Sequence, residues 1–311
     1  ICLISLLLIF IPANRSFAID VLKRSKIATS VAAFWHLAIL RFQFGVVYFF
    51  AGLVKMNEGW LSGFILQNLI EDANSNFLYW IIYNLSSIQI LSWVAMFFDI
   101  SMVPLLLWKK TRIYAFIATL GFQFINFFLF DLDNFPYLMT AGTLLFFDPS
   151  WPRQLLYKIG VLKEKIILSS DAIYYSSKKT LTLTLLSVYI AIQLFLPLRH
   201  YLYPGDFRWT EEGARFAWAM FGRRKSLADT PRFTLYDKES QTIFAIEMFE
   251  YVHYANRKSR LLIYDPSMLQ EFAWIVAEDL VTNQGFNLDK IELKASILVS
   301  LNGQEPQFLI D

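Results

Sequence analysis

Residues Arg41 to Trp60, RFQFGVVYFFAGLVKMNEGW, decide how the rest of the chain is read. The stretch opens as an apolar helix and ends with a lysine, Lys55, just after the small pair Ala51 and Gly52. Two readings of that lysine stand side by side. A lysine closing an apolar span reaches its ammonium into lipid headgroups. Held instead in a partly dry pocket, its charged form is disfavoured and the neutral amine becomes available as a base.

Outward from this stretch the chain is apolar throughout. Of 311 residues 56% are hydrophobic and 17% aromatic, and the mean hydropathy is +0.43. Such an average is that of a polytopic membrane protein rather than a water-soluble domain. A net charge of +2 gives no reason to expect a nucleic-acid partner, and the single cysteine, Cys2, excludes an intrachain disulfide. Cys2 reads as a core residue. His36, His200 and His253 share no ligand spacing, so no metal site is expected.

Apolar runs at Phe34–Val54, Ile88–Trp108, Ile113–Phe130, Phe135–Phe147 and Thr180–Leu198 read as spans, with Ile1–Ile11 as the tail of another. Phe77–Leu85 reads as a short interfacial piece. Basic clusters (Lys23, Arg24 and Lys26; Lys109, Lys110 and Arg112; Arg153 to Lys179) alternate with acidic or neutral loops. The positive-inside rule then puts everything after Leu198 outside the cytoplasm, on the side where Lys55 emerges. Polar residues inside the spans, Arg41, Gln43, Asp99, Gln123 and Asn126, are expected to face a shared interior. A short helix over Ser16–Lys26 follows Arg15. Ile1 lies inside an apolar run and the chain stops at Asp311, so the expectation is a fragment shortened at both ends.

Beyond Leu198 the composition shifts to β-branched and aromatic alternation at Arg232–Tyr236, Thr242–Phe249, Arg260–Tyr264 and Lys290–Leu301. A helix is expected from Pro266 to about Gln284, closed by Gly285, and a turn at Asn302-Gly303. The expected fold is a polytopic α-helical membrane bundle, residues 1–198, followed by a small extracytoplasmic β-rich α+β domain, residues 199–311.

The pattern of Arg41, Gln43, Tyr48, Ala51-Gly52, Lys55 and Trp60 resembles the core of the vitamin K-dependent γ-glutamyl carboxylases and their bacterial relatives with a horizontally transferred transmembrane (HTTM) domain. So do Pro12-Ala-Asn14-Arg15-Ser-Phe-Ala-Ile-Asp20, Phe147-Asp-Pro-Ser-Trp151-Pro-Arg153 and Gln193-Leu-Phe-Leu-Pro197 with His200. Arg208-Trp209-Thr210, Phe216-Ala-Trp218-Ala-Met220 and Ser300 to Asp311 continue the match in the family's order.

The resemblance implies that Lys55 is the general base, with Asn14 and Arg15 in the catalytic set. Arg41, Gln43, Tyr48, Trp60 and Asn126 would line the pocket, and Trp209, Trp218, Met220 and His200 would contact substrate. Two tryptophans nine apart are also ordinary packing anchors, and His200 fits equally a helix cap. The implied cofactor is vitamin K hydroquinone, with O2 and CO2 and no metal. Its oxygenation generates a base strong enough to take the γ-proton of a glutamate, CO2 adds, and the quinone leaves as its epoxide. The implied partners are a glutamate-containing protein or peptide and membrane lipid.

Two departures stand out. Arg15 replaces the histidine of the eukaryotic enzymes, and a guanidinium does not shuttle protons, though it can fix a carboxylate or oxyanion. Ala214 and Ala217 replace a tyrosine and a serine before the second tryptophan. Hydroquinone epoxidation without protein carboxylation, and a non-catalytic quinone- or lipid-binding module, are therefore kept as alternatives.

Overall fold

A computed structural model describes residues 2–15, 18–23, 33–71, 88–130, 132–161, 179–246 and 264–309. The chain divides into two compact units, Ile1–Leu53 with Gln67–Leu196, and Val54–Leu66 with Pro197–Asp311. The sequence reading grouped Val54–Leu66 with the helical part. In the structure it belongs with the C-terminal part.

The first unit is helical because, in an apolar medium, a helix satisfies every backbone donor and acceptor within one segment. It contains α1 (Cys2–Phe10), α2 (Ile19–Lys23) and α3 (Phe34–Val54), the last running to the edge of the second unit. Helix α4 (Glu58–Leu61) lies in the second unit, and α5 (Phe64–Glu71) straddles the boundary. Then follow α6 (Ile88–Leu107), α7 (Arg112–Leu129), α8 (Phe135–Thr143), α9 (Trp151–Lys158) and α10 (Lys179–Phe195). Phe34–Val54, Ile88–Leu107 and Lys179–Leu202 are long and apolar enough to cross a bilayer; Arg112–Phe128 and Phe135–Phe146 are apolar but shorter. The expected return span Phe135–Phe147 is thus a 9-residue α-helix tightened into a 3-10 turn at Leu144–Phe146. Phe77–Leu85 lies outside the described residues.

Helix α3 is the axis of this unit. Its Gly45 faces Val103 at ordinary contact distance, whereas a side chain added at Gly52 would strike Ile100 at 2.5 Å, so Gly52 lets α6 approach closely. Gly142 of α8 likewise lies against the Phe44 ring. Leu7, Ile39 and Leu40 form a core with Trp35, Leu186 and Tyr189. Gln43, Asp99, Gln123 and Asn126 are all buried, as interior-facing polar groups should be. Large apolar side chains such as Ile90, Phe97, Ile117, Phe124 and Leu185 instead point outward. An apolar surface of that extent belongs in lipid. Arg112 donates to the carbonyls of Leu106 and Leu107, closing the C-terminus of α6. Cys2 is exposed rather than in the core.

In the second unit, β2 (Arg232–Asp237) pairs antiparallel with both β3 (Thr242–Ala245) and β4 (Ile291–Ser296). A second sheet has the order β1 (Lys225–Leu227), β5 (Leu298–Leu301) and β6 (Gln307–Phe308). Short α11 (Phe207–Thr210) precedes them. Helix α12 (Pro266–Gln284) starts at Asp265, whose carboxylate accepts from the Ser267 N–H, and ends at Gly285 with φ 76°. Both are standard terminal signals. Alternation on β2 turns Phe233 and Leu235 onto Leu269, Phe272 and Val276 of the helix. Asn302 and Gly303 take φ 53° and 79°, the two left-handed positions of a tight turn. The expected strand Arg260–Tyr264 and the end of Thr242–Phe249 fall mostly outside the described residues.

Candidate active site

Lys55 follows the last turn of α3 and belongs to the second unit. Its residue surface is 4% exposed, and Nζ stands 5.2 Å from the centroid of the Trp60 ring. The turn that holds this pair is built by Asn57. The Asn57 side-chain oxygen accepts from the Trp60 N–H at 3.1 Å, while its amide donates to the carbonyls of Val54 and Gly222. The π-face of Trp60 attracts a cation placed there by about 0.5–2 kcal/mol.

Two distant segments close around this turn. Gly222 lies against Val54; Gly59 lies against Asn302; Phe64 covers Gly303. Asn302 in turn exchanges two hydrogen bonds with Arg224, through its Oδ1 and its own N–H. A side chain at Gly222 would sit 1.9 Å from Cγ1 of Val54, a β-branched residue with little rotamer freedom. Gly222→Ala is therefore expected to lower stability by about 1–3 kcal/mol and to disturb Lys55. Gly121→Ala, where a side chain would meet open space, is expected to be neutral or stabilising by up to about 1 kcal/mol. Thermal unfolding in detergent compares the two. Equal melting temperatures would show that the Gly222 contact relaxes without cost.

The loop before Gly222 is strained. Phe216, Trp218 and Phe221 have φ of 63°, 55° and 57°, a region that costs on the order of 1 kcal/mol or more for a non-glycine residue. Trp218 Nε1 is buried without a hydrogen-bond acceptor, and Met220 donates its N–H to the Trp218 carbonyl. Trp209 is placed differently: its ring packs against the Phe233–Phe272 core and its carbonyl accepts from Lys225. His200 donates through Nδ1 to Pro197 O at 2.8 Å and lies 4.2 Å from the Phe207 ring, the geometry of a helix-end cap.

The remaining expected residues lie in the first unit. Arg41 donates to the carbonyls of Leu145 and Phe147 and lies over the Phe146 ring, so it also holds the end of the 3-10 turn. Gln43 accepts from the Tyr189 hydroxyl, and its amide nitrogen is buried with no acceptor. Tyr48 faces Asp99, Thr119 and Gln123, with Asn126 buried on the same helix as the last two. Asn14 donates to Asp20, and Arg15 is exposed. An apolar groove of about 630 Å³ runs along α3, lined by Phe42, Phe49, Phe50, Ile100, Val103 and Phe146, with Arg41 at its side. Its apolar lining, all within the first unit, suits an isoprenoid chain. Among the described residues no group of three or more His, Cys, Asp or Glu is placed to hold a metal.

Sequence reasoning missed Lys225. Its side chain is 4% exposed; the ammonium bonds Glu211 and the carbonyls of Trp209 and Tyr264, and Glu211 also pairs with Arg223. Nothing local to a single lysine in a short strand signals such a network.

Comparison with known families gives two matches. Residues 1–151 match the HTTM domain, and residues 178–311 match the vitamin K-dependent gamma-carboxylase, lumenal domain. No solved structure matches the chain.

Proposed function

From the premise that the chain belongs to the HTTM-containing vitamin K-dependent γ-carboxylase family, we propose that it is a multi-pass membrane carboxylase with its C-terminal domain outside the cytoplasm. In this reading it converts peptidyl glutamate to γ-carboxyglutamate, consuming O2 and CO2 and releasing vitamin K epoxide, a carbon–carbon bond-forming reaction of the carboxy-lyase type. The observation that carries the proposal is the buried Lys55 amine set over Trp60.

Vitamin K hydroquinone, when bound, supplies an acidic phenol and the reducing power for oxygen. Lys55 accepts the phenolic proton at Nζ, and Trp60 steadies the resulting ammonium. Asn57 fixes the turn so that the amine and ring keep their spacing. Burial of Lys55 and of neighbouring Ala51 and Gly52 keeps water from competing for the proton. Trp218 and Met220 contact the glutamate substrate, while Asn14 and Arg15 orient anionic groups. Trp209 and His200 are the other two residues that the family pattern assigns to the substrate.

A narrower reading, hydroquinone epoxidation without carboxylation, is favoured by Ala214 and by Ala217, which is 1% exposed and carries no hydroxyl. Membranes containing the full protein should convert hydroquinone to epoxide and fix labelled CO2 into a glutamate peptide. Epoxide without fixed label supports the narrower reading, and stoichiometric quinone binding without either product supports a non-catalytic module.

A further inference from the structure

The groove along α3 ends at a cluster of cations. Ala38, Phe42, Gly45 and Phe49 line it from α3, in the three- and four-residue steps of one helix face, and Val103 and Leu107 line it from α6. Phe49 and Leu107 are also exposed, so the groove opens onto the apolar surface that belongs in lipid. Arg41 is part of the same lining. Its Nε and Nη2 donate to the carbonyls of Leu145 and Phe147, and Arg112 gives the same two atoms to Leu106 and Leu107. Nη1 of each guanidinium has no partner among the described residues.

The charges around this end do not cancel. Arg41 faces Arg112 and Asp148, and Asp148 in turn faces Lys109 and Arg112. The Asp148 carboxylate is already taken up by the N–H and hydroxyl of Ser150. Three cations thus meet one carboxylate, and the excess is positive. Basic pockets between membrane helices receive acidic lipid headgroups. We propose that the groove holds an acyl chain of an anionic phospholipid, whose phosphate is received by the Arg41 and Arg112 guanidinium groups with Lys109 adding to the field. A guanidinium suits a phosphate because its fork matches two oxygens. A zwitterionic lipid would bring a further cation to this cluster, and a neutral prenyl chain would leave it without a counter-ion. The site is independent of the chemistry of Lys55.

The test is native mass spectrometry of the full chain released from detergent micelles. Phosphatidylglycerol is titrated against phosphatidylcholine with the same acyl chains. The unaltered protein is expected to retain phosphatidylglycerol about fivefold or more in preference, as for one cation at a lipid phosphate. Arg41→Gln should bring that ratio to about one, and Lys109→Gln should lower it less. Gly45→Leu tests the groove without touching a charge: a side chain there starts at ordinary contact with Val103, 3.5 Å away, and extends into the space the acyl chain needs. It should weaken retention of phosphatidylglycerol severalfold, and it decides the matter even if Arg41→Gln does not fold. Neither glycerol phosphate nor a neutral prenylquinone at equal concentration should displace the lipid. Equal retention of the two lipids by the unaltered protein, retention unchanged in Gly45→Leu, or displacement by either competitor overturns the assignment.

Discussion

Lys55→Arg is expected to make as little epoxide as Lys55→Ala, both about 10²–10⁴-fold below the parent. The arginine variant is the sharper of the two. It keeps the positive charge, most of the length and the attraction to the Trp60 face, which lies 5.2 Å from Nζ in the parent. What it loses is the ability to exist as a neutral base, because a guanidinium stays protonated. If Lys55 serves only to pack over Trp60 or to reach a headgroup, arginine should restore nearly parental rates where alanine does not. If the amine accepts a proton, the two replacements fail together. Epoxide is measured chromatographically at saturating hydroquinone, with quinone binding measured alongside to separate lost chemistry from lost affinity. A near-parental rate in the arginine variant sinks the base assignment.

Local signals wrote themselves plainly into the chain. About twenty apolar residues must become a helix in lipid, so Phe34–Val54 was read to its observed ends. Asp265, Pro266 and Gly285 mark the start and stop of α12 by their own backbone preferences, and Asn302-Gly303 does the same for its turn. Long-range placement was not legible. The carbonyl that meets Asn57 belongs to Gly222, 165 residues away, and no periodicity encodes that pairing. Its only trace is indirect: Gly59, Gly222 and Gly303 are each small where another segment presses close. Hydropathy also overstated Phe135–Phe147, since run length says nothing of where a helix tightens into a 3-10 turn. Arg41 drew attention as a charged residue in a span, yet two of its donors go to backbone carbonyls. A buried charge meets its hydrogen-bonding needs before it does anything else. The same principle hides Lys225, whose three partners lie 14 to 39 residues away.

Lys225→Met is expected to destabilise the C-terminal unit by about 3–5 kcal/mol, because it leaves the rest of a buried charge network behind. The methionine fills similar volume, so the loss reflects hydrogen bonds rather than a cavity. Removed are the bonds to Trp209 O at 2.7 Å, Glu211 Oε1 at 3.0 Å and Tyr264 O at 2.6 Å. Glu211 then keeps only Arg223, and the two carbonyls lose a buried donor. The alkaline behaviour of the unaltered protein gives an independent check. Burial pushes the Lys225 amine below its ordinary value, with Glu211 partly opposing. The folded form therefore releases this proton at a lower pH than the unfolded chain, and between those two points the unfolded chain binds more protons. Stability from this site must rise with pH across that window, ending near the ordinary lysine value of about 10.4, and stay flat below it. The difference in unfolding midpoint between the unaltered protein and Lys225→Met should accordingly widen on the alkaline side. A gap that narrows there would mean that Lys225 is charged more readily in the folded unit than in water, and that Glu211, rather than burial, governs it.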